Sequence, residues 1–124
     1  MSSRRHPIYS AGNHEYLQCI SWAPAGAGAP TDLNGSGFTV VRTSQGLFTV
    51  TLTDPAVRVR SAVPGLQLAV ADNMFPQLGS IDVATAKTVE VRVVDETGAV
   101  QDVAADANNR VHLTMTLTRD TVTR

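Results

Sequence analysis

The chain has 124 residues, of which 43% are hydrophobic and 17% are charged, and its net charge is -1. This length suits one domain with a real core, and a near-neutral chain lacks the basic excess that nucleic-acid-binding proteins use to neutralise phosphates. No run of about 18 apolar residues occurs, and no apolar stretch follows the N-terminal charges as in a signal peptide. We therefore expect a protein made inside a cell, without a nucleic-acid or membrane partner. Cys19 is the only cysteine, which excludes an intrachain disulfide.

Residues 1–15 predict an extended N-terminal arm, because they are polar and contain proline and glycine as chain breakers. Arg4 and Arg5 form a small basic cluster, and Ile8 and Tyr9 give the arm apolar groups to bury. We expect these four residues to contact a neighbouring subunit, with the arm ordering on contact. An ordinary disordered terminus is the alternative.

Residues 16–124 predict a single all-β domain. Its first strand lies at residues 16–22, a short apolar stretch. Residues 23–36 are rich in alanine, glycine and proline, and such small residues bury too little surface to offset the entropy cost of ordering. We expect a flexible loop there, either mobile or held by a neighbour.

Residues 37–54 predict a β-hairpin. In the second arm three apolar residues alternate with three threonines: Phe48, Val50 and Leu52 with Thr49, Thr51 and Thr53. A period of two places the apolar residues on one sheet face and the threonines on the other. Residues 44–46 supply the turn, in which Gly46 can adopt the positive φ that a three-residue loop needs.

Further strands are predicted at residues 88–95 and 110–118, where apolar and polar residues again alternate. Pro64 and Gly65 indicate a turn, Pro76 breaks a strand pattern, and residues 81–87 allow at most a helical turn. Short strands separated by turns predict an antiparallel β-sandwich or barrel.

The polar faces of these strands carry threonine rather than charge, and Lys87 is the only lysine. Soluble β-proteins commonly protect exposed strands with lysine. The threonine-rich faces are therefore either covered by other chains or simply solvated, and the sequence leaves both readings open.

The histidines and acidic residues lack the spacing of a functional site. His6, His14 and His112 show no pattern typical of zinc ligands, so we expect surface histidines. Four acidic residues fall in one stretch: Asp95, Glu96, Asp102 and Asp106. They lack the regular alternation of a calcium loop and are interpreted as turn residues.

Cys19 is predicted to be a small buried core residue, because its neighbours Leu17, Ile20 and Trp22 are apolar. No serine lies in a nucleophile elbow, and the Ala/Gly segment lacks the Lys-Ser/Thr of a phosphate loop. We therefore predict a non-enzymatic protein without catalytic residues, cofactor or metal.

Three segments, residues 37–54, 88–95 and 110–119, resemble strands of small structural proteins of tailed bacteriophage particles. The resemblance implies a virion component, namely a capsid decoration (cement) protein on the outer shell. Its implied partners are the major capsid protein and further copies of itself, as a dimer or trimer. The implied location is the capsid surface, after synthesis in the host bacterial cytoplasm.

Two other roles are considered. One is a tail- or fibre-associated β-domain of the same kind of particle. The other is a stand-alone module that binds a sugar or peptide, for which Trp22 and Phe75 are the candidate aromatic residues.

Overall fold

The computed structural model describes residues 5–10, 13–53 and 58–118, with side chains for residues 16–53 and 58–118. The described residues form nine strands and no helix. The strands are β1 (Arg5–Ser10), β2 (Asn13–Ala25), β3 (Gly28–Asn34), β4 (Phe38–Ser44), β5 (Leu47–Leu52), β6 (Arg58–Gln67), β7 (Met74–Asp82), β8 (Thr88–Asp95) and β9 (Arg110–Thr118). The predicted all-β class is confirmed.

The strands form two antiparallel sheets. Sheet I has the order β1-β2-β9-β6, and β3 pairs with the second half of β2 on the same side as β1. Sheet II has the order β4-β5-β8-β7. Because the two sheets are separate and share one core, the fold is a β-sandwich, one of the two predicted architectures.

The core lies between the two sheets and follows the period-two alternation of the sequence. Four consecutive inward positions of β9 are completely buried: Val111, Leu113, Met115 and Leu117. Val89, Val91 and Val93 of β8 are buried in the same way on the opposite sheet. The rings of Trp22 and Phe48 meet edge to face with centroids 5.5 Å apart, which joins sheet I to sheet II.

The segment expected to be a flexible loop, residues 23–36, forms the end of β2 and all of β3. Ala25 lies opposite Gly28, and Gly26 makes the turn with a φ of 59°. The pairing contains two register shifts and the outer strand is exposed, so its sequence lacks the alternation that marks a half-buried strand. Backbone pairing, rather than side-chain burial, orders this segment.

The two prolines interpreted as turn or break signals lie inside strands. Pro64 lies in β6 and Pro76 in β7, and both strands are at the edges of their sheets. A proline lacks only a backbone N–H, which an edge strand does not need on its open side. Residues 83–86 form turns and not helix.

Part of the predicted arm is a strand. The backbone of Arg5–Ser10 pairs antiparallel with the start of β2, with Ile8 opposite Glu15 and Tyr9 opposite His14. Arg4 lies outside the described residues, as do the side chains of Arg5, Ile8 and Tyr9. Their role in a contact arm therefore remains a prediction.

Candidate interaction surface

The outer face of sheet I is built around β9, the strand between β2 and β6. Directly paired residues of neighbouring strands share a face. Since the odd-numbered residues of β9 fill the core, its even-numbered residues point outward, together with their partners on β2 and β6. We call the central part of this surface, between the two ends of β9, the β9 face. It is formed by Leu17, Cys19, Ser21, Ser61, Val63, Gly65, His112, Thr114 and Thr116.

Cys19 lies on this face, so its prediction as a core residue is wrong. It is only partly buried and pairs with Thr114. The core side of β2 is instead occupied by Tyr16, Gln18, Ile20 and Trp22. A strict period of two, applied from Trp22 backwards, assigns Cys19 to the outside. The wrong prediction came from the apolar residues next to Cys19 in the sequence.

A shallow cavity of about 320 Å³ opens on the β9 face beside β3. It is lined by Cys19, Ile20, Ser21, Asn34, Arg110, His112 and Thr114. Most of these groups are small or polar, and a hydroxyl or amide can both donate and accept hydrogen bonds. The cavity therefore suits a polar contact with another molecule.

Arg110 forms one wall of this cavity and ties three strands together. Its Nε donates to Ser21 Oγ at 2.9 Å, and its Nη1 lies 2.9 Å from Asp32 Oδ2. Nη2 donates to the backbone carbonyl of Asp32, a residue with a φ of 50°. The guanidinium is thus already bound within the chain, and it holds β3 against the sheet.

His112 lies on the β9 face next to the cavity, opposite Ser21 and Gly65. Partial burial, followed by the positive charge of Arg110, lowers its pKa below the usual value. Its Nε2 lies 3.3 Å from Gln67 Oε1. The ring is therefore favoured in its neutral form, which suits a surface that other protein groups can cover.

Asp95 is a structural turn residue, as the sequence indicates. Its Oδ1 accepts hydrogen bonds from the backbone N–H groups of Thr97 and Ala99, and Oδ2 accepts one from Gln101. The hydroxyl of Thr97 and the amide of Gln101 are the main causes that lower the pKa of Asp95 to about 2. The Asp95 carboxylate therefore stabilises its own turn.

Asp102 also binds within the chain. Arg42 donates two hydrogen bonds to its carboxylate, at 2.9 and 2.8 Å, and the N–H of Gly46 donates a third at 2.9 Å. The hydrogen bond from Arg42 is the main cause that lowers the pKa of this carboxyl group. Asp106 accepts a hydrogen bond from the N–H of Asn108. Asp106 therefore holds its own turn, whereas Asp102 holds the distant β4–β5 hairpin.

A second cavity of about 400 Å³ lies between the edge strands β6 and β7. Its lining includes Val59, Ala62, Leu78, Ile81 and Val83, with charged residues beside them. Ile81 is 43% exposed. This groove extends the apolar core to the open side of the sandwich. Its described lining residues include no cluster of side chains typical of a catalytic or metal site.

The described residues contain no group of three or more histidine, cysteine, aspartate or glutamate side chains that could hold a metal ion. They also contain no helix long and apolar enough to cross a membrane. Trp22 is completely buried and cannot stack on a sugar, so its prediction as a binding residue is wrong. Phe75 is half exposed.

Comparisons with protein-family models, curated proteins and solved structures find no match.

Proposed function

We propose that this protein is a non-enzymatic structural subunit of a tailed-phage particle, a capsid decoration protein that binds the outer shell through its β9 face. The observation that carries the proposal is the composition of that face. Its members are mostly hydroxyl and apolar side chains, with one thiol and one histidine, and the nearby Arg110 is already paired with Asp32.

Covering such a surface with another protein has a small desolvation cost. Burying an unpaired charge has a large desolvation cost, whereas serine and threonine hydroxyls can exchange water for protein partners with little net loss. Val63, which is 65% exposed, adds apolar area next to Thr114. The face can therefore lie against another protein without a charged partner on the other side.

A decoration role also suits a modest contact. Many copies on a symmetric shell gain avidity, so each one need bind the major capsid protein only weakly. A protein that binds the closed shell and not its separate parts stabilises the shell by mass action. Homo-oligomers of the subunit, whether dimers or trimers, would raise this avidity further.

The first experiment measures the copy number of this chain in purified particles from the source lysate, by quantitative peptide mass spectrometry. We expect a copy number comparable with that of the major shell protein. Far fewer copies would instead indicate that the protein belongs to the tail or a fibre. Its absence from the particles would overturn the virion role.

A matched pair of variants then tests the face. Thr114→Arg places a bulky charge at the centre of the β9 face, and Gln77→Arg places the same charge on the outer side of sheet II. Both positions are exposed, so both variants should fold. We expect Thr114→Arg to lose binding to particles stripped of the protein, while Gln77→Arg binds normally; equal binding would exclude the β9 face.

The arm is tested separately. Deleting residues 2–10 removes β1 from the edge of sheet I but leaves the pairing of β2 with β9. We expect a folded domain that binds stripped particles more weakly. Unchanged binding would show that Arg4, Arg5, Ile8 and Tyr9 contribute no contact.

A further inference from the structure

The prolines of this chain are distributed unevenly over the edges of the two sheets. β1 and β3 share one edge of sheet I, β6 forms the other, and β4 and β7 are the edges of sheet II. The strands β1, β3, β6 and β7 contain Pro7, Pro30, Pro64 and Pro76. Among the described edge strands, β4 alone has no proline.

An edge strand exposes a row of unpaired N–H and C=O groups, and proline is one of the devices that prevent a second chain from pairing there. Irregular pairing adds to this protection, since β3, β6 and β7 all contain register shifts. In β4 the pairing is regular from Phe38 to Arg42 and shifts only between Arg42 and Ser44. Of the described edge strands, β4 is therefore the one at which a second chain can add a strand.

The hydrogen-bond pattern shows which groups of β4 face outward. Thr53 donates its N–H to the carbonyl of Gly37 at 2.9 Å, so this pair is hydrogen-bonded. Because such pairs alternate along antiparallel strands, the N–H and C=O groups of Phe38, Val40 and Arg42 point away from β5. Within the described strands, β4 pairs with β5 alone, and nothing in that set bonds to these groups.

We propose that β4 pairs antiparallel with β4 of a second copy of this chain, around a two-fold axis at Val40. Val40 then lies opposite its equivalent, and Phe38 lies opposite Arg42 of the second copy. The two four-stranded sheets join into one continuous sheet. The pairing does not depend on the particle role proposed above.

The side chains of β4 are complementary to themselves in this register. Thr39 lies beside Val41 of the second copy, and both are β-branched residues that pack well across strands. Val41 is 56% exposed in the single chain, and the second copy places Thr39 against its open side. Arg42 is already bound to Asp102, so the pairing leaves no charge without a partner. These features favour a second copy over an unrelated charged peptide.

The contact is short, since the regular part of β4 has five residues. An interface of this size falls in the range of weak, transient complexes. We therefore expect an equilibrium between monomer and dimer that depends on concentration, and sedimentation velocity over a concentration series measures it. A monomer at every concentration that stays in solution would overturn the proposal.

Two valine variants give a matched test. Val41→Lys and Val63→Lys place the same charge at exposed positions of edge strands, but only the first lies on β4. We expect Val41→Lys to raise the dimer dissociation constant about tenfold or more, because a lysine on an edge opposes strand addition. Val63→Lys should leave it unchanged. Equal effects at the two sites, or none at Val41, would overturn the pairing.

Disulfide trapping tests the register in a Cys19→Ser background. In the proposed register residues 39 and 41 form a non-hydrogen-bonded pair with Cα atoms about 4.5 Å apart, within the range of about 4.4–6.8 Å that a disulfide spans. A mixture of Thr39→Cys and Val41→Cys proteins should give a cross-linked heterodimer, and neither variant alone should cross-link. Cross-linking of Val41→Cys alone, or none in the mixture, would overturn the register.

Discussion

The β4–β5 and β2–β3 hairpins differ in what holds them together. The β4–β5 hairpin places Phe38, Val40, Phe48, Val50 and Leu52 in the core. In the β2–β3 hairpin, β3 is exposed along almost its whole length and shifts register twice against β2. The first hairpin is specified by its own alternation, and the second by backbone pairing together with contacts to distant residues.

Both hairpin turns are nevertheless held by one irregular segment, residues 101–103. The carboxylate of Asp102 accepts a hydrogen bond from the N–H of Gly46, in the turn of the β4–β5 hairpin. The next residue, Val103, accepts one from the N–H of Gly26 with its carbonyl, at 2.8 Å. Val103 itself is buried in the core. This segment therefore joins the two turns, although it has no secondary structure of its own.

The largest expected effect tests where the core lies. Phe48→Ala removes a buried ring that contacts Trp22, and losing such a side chain costs about 3–5 kcal/mol of unfolding free energy. Leu33→Ala, on the exposed strand β3, should change it by about 0.5 kcal/mol or less. Urea unfolding curves measure both. Similar losses at the two sites would contradict the division between the hairpins.

The two turn glycines provide the next test. Gly46 and Gly26 both have positive φ, 66° and 59°. A Cβ at Gly46 would lie 2.7 Å from the carbonyl oxygen of Gln101, whereas nothing lies within 4 Å of one at Gly26. We expect Gly46→Ala to cost about 2–3 kcal/mol and Gly26→Ala about 1 kcal/mol, both measured by thermal unfolding. An equal loss of stability at the two glycines would show that backbone strain, and not the close contact with Gln101, determines the loss.

The sequence predicts the features that depend on neighbouring residues, but not those that depend on residues far apart in the chain. The alternation in β5, β8 and β9 was sufficient to assign their core faces, and Gly46 was correctly placed in a turn. The turn itself is shorter than predicted, because β4 continues through Ser44. The strand β3 depends on Arg110, almost 80 residues away, and no local pattern reports such a contact.

The β9 face shows the same limit. Its threonines were recognised as a polar face, but Cys19 was assigned to the core because the residues around it are apolar. A period of two counted back from the buried Trp22 places Cys19 outside, but only the pairing of β2 with β9 shows which side chains lie beside it there. Strand order is a long-range property, so neither the neighbours of Cys19 on this face nor the open edge at β4 could be identified before the topology was known.

A third experiment tests the long-range support of the β2–β3 hairpin. Arg110→Gln removes the ion pair with Asp32 and weakens the contact with Ser21, and we expect a loss of about 1 kcal/mol because Asp32 is largely exposed. Hydrogen exchange should accelerate in residues 28–34 and stay unchanged in residues 47–52. Arg92→Gln, at an exposed position of β8, is the control. Faster exchange in both hairpins would show that Arg110 supports the whole domain.

The smallest effect is a pH dependence at the other turn. The pKa of Asp102 lies below its unfolded value of 3.8, mainly because Arg42 donates to the carboxylate. A lowered folded-state pKa gives stability that is present above 3.8 and is lost as the pH falls through the folded value. We expect the melting temperature of Asp102→Asn to fall less steeply on acidification than that of the natural chain.

Arg42→Gln separates the two contacts of that carboxylate. It removes the main cause of the lowered pKa and leaves the hydrogen bond from the N–H of Gly46. Its acid slope should therefore lie between those of the natural chain and Asp102→Asn, and adding Arg42→Gln to Asp102→Asn should change the slope no further. If Asp102→Asn keeps the full acid slope, other carboxylates cause it.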